Sequence, residues 1–168
     1  MSRKRKTENP NEPQSTFFVR RRLLLALGAA AVVGGGGVFL MSSPSMAEEV
    51  VVYKDSSCEC CGRWVDHMRS NGFSVAVNNA EDMDTVKRQA GIPEAMDSCH
   101  TAYIGDYLVE GHVPAADIKR MLAERPSIKG LAVPGMPSSA PGMDSPEREP
   151  FTVLAFSASG ATRIFAKY

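Results

Sequence analysis

The residues best suited to chemistry are four cysteines, three of which lie within four consecutive positions. Cys58, Cys60 and Cys61 form a Cys-Glu-Cys-Cys motif, and Cys99 follows much later in the chain. A short β-branched run precedes the motif and a helical pattern follows it, so the motif is predicted at a strand-to-helix junction. A helix N-terminus stabilises thiolates, which serve both as nucleophiles in disulfide exchange and as ligands of soft metals. The location of the motif alone does not choose between these two chemistries.

Two features of the cysteine set favour a metal. Cys60 adds a third sulfur, which a dithiol exchanger does not need and which invites wrong disulfides, whereas a soft-metal site gains from it. Cys99 precedes a predicted strand whose start should lie beside the motif, so a fourth sulfur would face the other three. Four thiolates suit copper(I), zinc or a small copper–thiolate cluster. Structural zinc is less favoured because a second Cys-x-x-Cys is missing, and two disulfides are the alternative for an exported domain.

Histidines and methionines are further candidate metal ligands, less favoured than the cysteines. His100 follows Cys99, but strand alternation should point the two side chains to opposite faces, and His112 is equally suited to brace a Gly-His-Val-Pro turn. His67 is expected on the solvated face of the first helix. Met136 and Met143 lie in a loop rich in proline and glycine, where thioethers could bind or pass on copper(I) or simply anchor the loop.

The segments that carry these residues alternate between strand-like and helix-like patterns. Strands are expected at 50–53, 73–77, 101–104 and 107–109, and helices at 60–71, at 83–90 and from residue 114 onwards. A helix between the first two strands implies a right-handed parallel crossover. The order β-α-β-α-β-β-α predicts an α/β, thioredoxin-like domain at 48–131. A Pro/Gly/Met loop at 132–150 and a C-terminal β-hairpin at 151–168 follow, and the hairpin could extend the sheet or pack on it.

A thiol–disulfide oxidoreductase is the alternative function. Cys58 would attack a substrate disulfide and Cys61 would resolve the mixed disulfide. Thioredoxin-like enzymes usually carry a cis-proline before the strand that starts here at Thr101, and this chain has Cys99 and His100 there instead. Copper oxidoreduction by the same thiols is a third hypothesis, which the sequence does not distinguish from copper storage. We therefore assign no catalytic residue and leave enzymatic activity open.

Residues 1–47 have the layout of a signal peptide. A basic region ends at Arg20-Arg21-Arg22, an apolar run follows from Leu23 to Met41, and Ser45-Met46-Ala47 supplies small residues for cleavage. The adjacent arginines before a Leu-Leu pair indicate the twin-arginine export route. We expect a periplasmic protein, with a membrane location only if the signal stays uncleaved as an anchor.

Charge narrows the range of partners. Residues 48–168 contain 12 Lys or Arg and 17 Asp or Glu, a net charge of −5. A domain this acidic is repelled by phosphate backbones, which excludes nucleic acid as a partner.

Several motifs together resemble one known family. They are Tyr53-Lys54 through the cysteine motif to Trp64-Val-Asp-His67, Ser98-Cys-His-Thr-Ala102, Val109-Glu-Gly-His-Val-Pro114 and Gly130-Leu-Ala-Val-Pro-Gly-Met136. This combination is similar to that of the CopG-type periplasmic copper-resistance proteins, over roughly residues 50–143. The resemblance implies a thioredoxin-like fold and copper(I), as one ion or a small thiolate cluster, held by the four cysteines. It also implies a role in copper handling, with other periplasmic copper-handling proteins as expected partners.

Overall fold

The computed structural model describes residues 48–143 and 145–168. The predicted signal peptide and its cleavage site, residues 1–47, lie outside the described residues. Within the described ranges, no helix is long and apolar enough to cross a membrane.

Among the described residues, seven strands and three α-helices form the fold, which confirms the predicted α/β class. A 3₁₀ turn, Glu94–Met96, precedes the third strand. In chain order the elements are β1 (Glu49–Lys54), α1 (Glu59–Ser70), β2 (Ser74–Asn79), α2 (Met83–Ala90), β3 (His100–Ile104), β4 (Tyr107–Glu110), α3 (Ala115–Glu124), β5 (Gly130–Ala132), β6 (Thr152–Phe156) and β7 (Thr162–Lys167).

All seven strands belong to one sheet with the order β2-β1-β3-β4-β5-β6-β7. β1 pairs in parallel with β2 across the α1 crossover, and β3 runs antiparallel to both β1 and β4. β4 and β5 are parallel, whereas β6 runs antiparallel to both β5 and β7. The end of β1 and the start of β3 therefore lie side by side, with Lys54 opposite His100. This pairing brings the loop after β1 next to the segment that enters β3.

Helices cover both faces of the sheet. Trp64 and Met68 of α1 pack in one buried cluster with Ile118 of α3 and with inward-facing valines of β1. Ala90 of α2 packs in a second cluster with Leu108 and other side chains of the opposite face. Alternate residues along each strand feed these two clusters, as the two-residue period of a strand requires. The cysteine-bearing first turn of α1 thus lies on the same face as α3.

The short strand β5 was not predicted, and it shifts the start of the loop that follows. Ala132 belongs to this strand, not to the loop expected at 132–150. A Cβ at Gly130 would lie 2.1 Å from the Leu108 carbonyl oxygen, so only glycine allows β5 to approach β4 this closely. The C-terminal hairpin β6–β7 pairs with β5 and so extends the sheet.

Candidate metal centre

Cys58 is the N-cap of α1. Its Sγ accepts the N–H of Cys61 at 3.4 Å. The serines of the preceding loop do not cap this helix. Ser57 instead donates its backbone N–H and its hydroxyl to Asp55 Oδ1, which tightens the loop. A sulfur rather than a hydroxyl therefore lies at the positive end of the helix dipole.

All four cysteine sulfurs converge at this turn. Their Sγ atoms lie within 4.8 Å of one another, and Cys58 and Cys60 are 3.6 Å apart. The Sγ of Cys61 also lies 3.8 Å from the carbonyl oxygen of Cys99, which joins the two segments. The structure thus brings together the four residues that the sequence singled out as metal ligands.

The redox state of the four sulfurs differs from the predicted set of thiolates. Cys58 and Cys61 form a disulfide, whereas Cys60 and Cys99 are free thiols. The alternative of two disulfides is therefore wrong for this state of the chain. Four thiolates become available only after two-electron reduction of the Cys58–Cys61 bond.

Two histidines join Cys99, which corrects the prediction that Cys99 and His100 point apart. Cys99 Sγ lies 2.9 Å from His112 Nε2 and 3.5 Å from His100 Nδ1. Cys99 immediately precedes β3, so strand alternation does not govern its side chain. Ligand atoms of Cys61, Cys99, His100 and His112 all lie within 4.8 Å of one another. The donor set is therefore four sulfurs with two imidazoles at one side.

His112 is held in one tautomer. Its Nδ1 lies 2.7 Å from the carbonyl oxygen of Pro141, and because a carbonyl only accepts, Nδ1 carries the proton. The Nε2 lone pair then faces Cys99 Sγ. A metal-binding histidine typically donates its other N–H to a carbonyl or carboxylate in this way. Burial lowers the pKa of His112. The hydrogen bond to the Pro141 carbonyl opposes this effect and the positive charge of Arg63 adds to it, so the ring is neutral at pH 7.

His100 is completely buried and is neutral for the same reason. Burial lowers its pKa well below the ordinary value, and His112 and two lysines add to the effect. Its ring lies 4.4 Å from the Trp64 ring and 5.1 Å from the His112 ring, centroid to centroid. Nε2 finds no hydrogen-bond partner among the residues that the structure describes. A neutral, buried imidazole with an unsatisfied nitrogen is rare in a packed core and marks this position for a function.

The surroundings of Cys99 favour its protonated thiol at neutral pH. Burial raises its pKa to about 12, and the neighbouring Cys60 contributes to the rise. At neutral pH this partly buried thiol is therefore a poor nucleophile. A soft metal can still bind there, since it replaces the proton as it binds.

A segment of the Pro/Gly-rich loop closes one side of the centre. We call Ala140, Pro141, Gly142 and Met143 the strap. The Gly142 carbonyl accepts the Arg63 Nε–H at 2.8 Å, and a Cβ on Gly142 would lie 2.7 Å from Trp64 N and 2.9 Å from Cys60 O. The strap therefore packs directly on the backbone of α1. Sequence reasoning missed this contact, although a glycine directly after a proline can mark a close backbone approach.

The two loop methionines have different surroundings. Met143, in the strap, is partly buried and packs against the larger hydrophobic cluster. Met136 is 54% exposed. The residue before it, Gly135, donates its N–H to Asp97 O at 3.0 Å and accepts the Ser98 hydroxyl, which ties the loop to the segment before Cys99.

His67, expected on a solvated face, is half-buried and structural. Its Nε2 accepts the backbone N–H of Ala115 at 3.1 Å, at the start of α3. It thereby satisfies one of the N–H groups that a helix N-terminus leaves unpaired.

Comparison with known proteins identifies relatives of this chain. Residues 96–143 match a family model described as a protein of unknown function, DUF411. No curated protein matches. Two solved structures, forms 1 and 2 of the copper resistance protein CopG, are 42% and 43% identical to this chain, each with a TM-score of 0.68. They cover 73% and 72% of this chain and 98% of their own chains. At this identity and coverage, the chain belongs to the CopG-type copper-resistance family.

Proposed function

We propose that this protein is a periplasmic copper(I)-binding protein of copper homeostasis, with Cys58, Cys60, Cys61 and Cys99 as ligands. The observation that carries the proposal is the convergence of four sulfurs within 4.8 Å of one another. Thiolates prefer soft, low-valent metals, and four of them hold either one copper(I) ion or a small cluster with bridging sulfurs. Zinc also accepts four thiolates, but the CopG relatives named for copper resistance favour copper.

The same proposal adds His112 as a nitrogen ligand next to Cys99. Its Nε2 already faces the Cys99 sulfur at 2.9 Å, and the Pro141 carbonyl fixes the opposite nitrogen. Binding therefore requires loss of one thiol proton and little movement of the ring. His100 is the next candidate, because its Nδ1 lies 3.5 Å from the same sulfur. The thioethers of Met136 and Met143 are proposed to pass copper on through the loop, not to act as main ligands.

The proposal includes a thioredoxin-like core and export to the periplasm. The core assignment is supported by the β2-β1-β3-β4 part of the sheet, by the parallel β1–α1–β2 crossover and by a Cys-x-x-Cys turn directly after β1. Export is supported by the twin-arginine pattern of residues 1–47. Transfer of copper to other periplasmic copper-handling proteins would use the partly exposed Cys58 and Cys60.

A second candidate function is thiol–disulfide exchange, which one observation favours. The Cys58–Cys61 disulfide lies at a helix N-terminus, the place where dithiol exchangers carry theirs. Copper redox cycling joins the two candidates chemically. Two copper(I) ions and two protons would convert the disulfide into two thiols and leave two copper(II) ions.

The test is anaerobic titration with copper(I) against a chromogenic chelator that competes for it. The reduced protein is compared with Cys60→Ser and Cys99→Ser, and with Ser57→Ala as a matched control in the same loop. We expect the wild type and the control to bind tightly and both cysteine variants to lose affinity or stoichiometry. Weak binding by the wild type, with undiminished disulfide exchange in both cysteine variants, would establish the oxidoreductase instead. Parallel titration with zinc separates the two metals.

A further inference from the structure

A buried ion pair lies on the opposite side of the sheet from the cysteine motif. Glu110, the last residue of β4, is fully buried, and Lys87 of α2 is only 8% exposed. Their side chains form an ion pair on the face that α2 covers. Buried ion pairs are weak evidence for stability, because desolvation can cost more than the attraction returns. The role of Lys87 and Glu110 is therefore inferred from the backbone groups that they contact.

The pair holds the segment that enters β3 and carries Cys99. Glu110 Oε1 accepts the backbone N–H of Ser98 at 2.8 Å. Lys87 Nζ donates to the Ser98 carbonyl, also at 2.8 Å. Both backbone groups of the residue before Cys99 are thus fixed by opposite charges. We call Lys87 and Glu110 the clamp.

The clamp also reaches both flanks of this segment. Thr101 donates its hydroxyl to Glu110 Oε2 at 2.6 Å, and Lys87 pairs with Asp97 Oδ1 at 2.9 Å. Ser98 lies between the 3₁₀ turn and β3, where neither helix nor strand bonds are available to its backbone. Gly111, directly after Glu110, donates its N–H to the His100 carbonyl at 2.9 Å. The clamp thereby joins the segment with Cys99 to the turn with His112.

We propose that Lys87 and Glu110 are positioning residues that set Cys99 against His112 for copper binding. This inference rests on the proposed function. Neither residue contacts the metal; each acts through the backbone around Cys99. The hydrogen bonds of the clamp go to the segment around Cys99 and not to the first turn of α1, so its removal should act mainly on the part of the copper affinity that Cys99 supplies.

A double-mutant cycle tests this dependence on Cys99. Copper(I) affinity is measured by chelator competition on the reduced protein, expressed from the full-length sequence, for wild type, Glu110→Gln, Cys99→Ser and the double variant. Loss of a supporting group around a metal ligand typically weakens metal binding about 10- to 100-fold. We expect Glu110→Gln to weaken binding about tenfold in the wild-type background and less than about twofold once Cys99 is serine.

A second buried carboxylate supplies the matched control. Asp117 is 5% exposed, pairs with Arg120 and accepts the Tyr168 hydroxyl, remote from the cysteines in sequence and on another helix. Asp117→Asn should reduce the free energy of unfolding without changing copper affinity. If Glu110→Gln does not fold, the same cycle is run with Lys87→Gln, which removes the contact to the Ser98 carbonyl.

Two results would overturn the inference. One is unchanged copper affinity in the clamp variant while Cys99→Ser lowers it. The other is an equal loss in both backgrounds, which would show that the clamp acts on overall stability. Failure of the proposed function looks different, because then the wild type itself binds copper weakly.

Discussion

Substitution of Gly142 by alanine should weaken copper binding through the strap. Gly142 has φ +88°, and its missing Cβ would lie 2.7 Å from Trp64 N and 2.9 Å from Cys60 O. Both neighbours are backbone atoms of α1, which cannot turn aside as a side chain could. The strap must therefore move away by several tenths of an ångström to reach ordinary contact distance. That movement draws the Pro141 carbonyl away from His112 Nδ1, now 2.7 Å distant.

The expected magnitudes follow from two separate effects. Placing alanine at positive φ costs about 1–2 kcal/mol of unfolding free energy, and the clash adds to this cost. Loss of the hydrogen bond that orients His112 should weaken copper(I) binding about 10- to 100-fold. Urea denaturation measures the first quantity and anaerobic competition with a chelator the second.

Gly72 provides the matched control for the Gly142 substitution. It also has φ +88°, but no atom lies within 4 Å of its Cβ position, at the far end of α1. Gly72→Ala should therefore lose stability from backbone strain alone and keep wild-type copper affinity. The reasoning is refuted if Gly142→Ala also keeps wild-type copper affinity, because the strap would then not orient His112.

Three other outcomes are expected. Oxidised protein with the Cys58–Cys61 bond should bind fewer copper ions than reduced protein. Treatment of the oxidised protein with a dithiol should restore the full copper stoichiometry. Equal stoichiometry before and after reduction would exclude those two sulfurs as ligands. In the metal-free protein, NMR titration should find the pKa of His100 below 6.5, since burial lowers it. The unfolded chain then binds the extra proton first, so stability should fall as pH drops below about 6.5 and level off above it; a pKa of His100 above 6.5 would contradict this. Tyr168→Phe should lower the free energy of unfolding by about 1 kcal/mol in urea, because the hydroxyl of half-exposed Tyr168 donates to buried Asp117 at 2.7 Å. An unchanged midpoint of unfolding would argue against that bond.

Periodicity and chain-breaking residues predicted most of the elements correctly. The helix expected at 83–90 is observed as Met83–Ala90, because Gly91 ends it with a left-handed φ and Pro93 follows. β5 could not be predicted in the same way. It has three residues and begins with a glycine that fits only because of its distance to the Leu108 backbone in β4. Such a strand is determined by its neighbours in the sheet, not by its own propensity.

The candidate site likewise has one part that the sequence predicts and one part that only the fold determines. The three cysteines of the motif are close in sequence, so their convergence follows from one helical turn. The approach of His112 to Cys99 depends instead on the Pro141 carbonyl, far along the chain, and on a segment outside the regular strand. Alternation along β3 gave the wrong answer for Cys99 because the strand starts one residue later. Contacts of this kind have no periodic signature in the sequence.

Cys99 provides the physical argument that separates copper binding from disulfide exchange. An exchanger needs a thiolate near the surface and one resolving thiol, and Cys58 with Cys61 already supplies that pair. Burial raises the pKa of the Cys99 thiol, so the thiol is protonated at pH 7 and is a weak nucleophile. For a soft metal, the buried His112 nitrogen 2.9 Å from the Cys99 sulfur supplies a further donor atom. A third sulfur in the motif, and a partly buried Cys99 thiol beside buried His112, are therefore explained together by copper, and only in part by disulfide exchange.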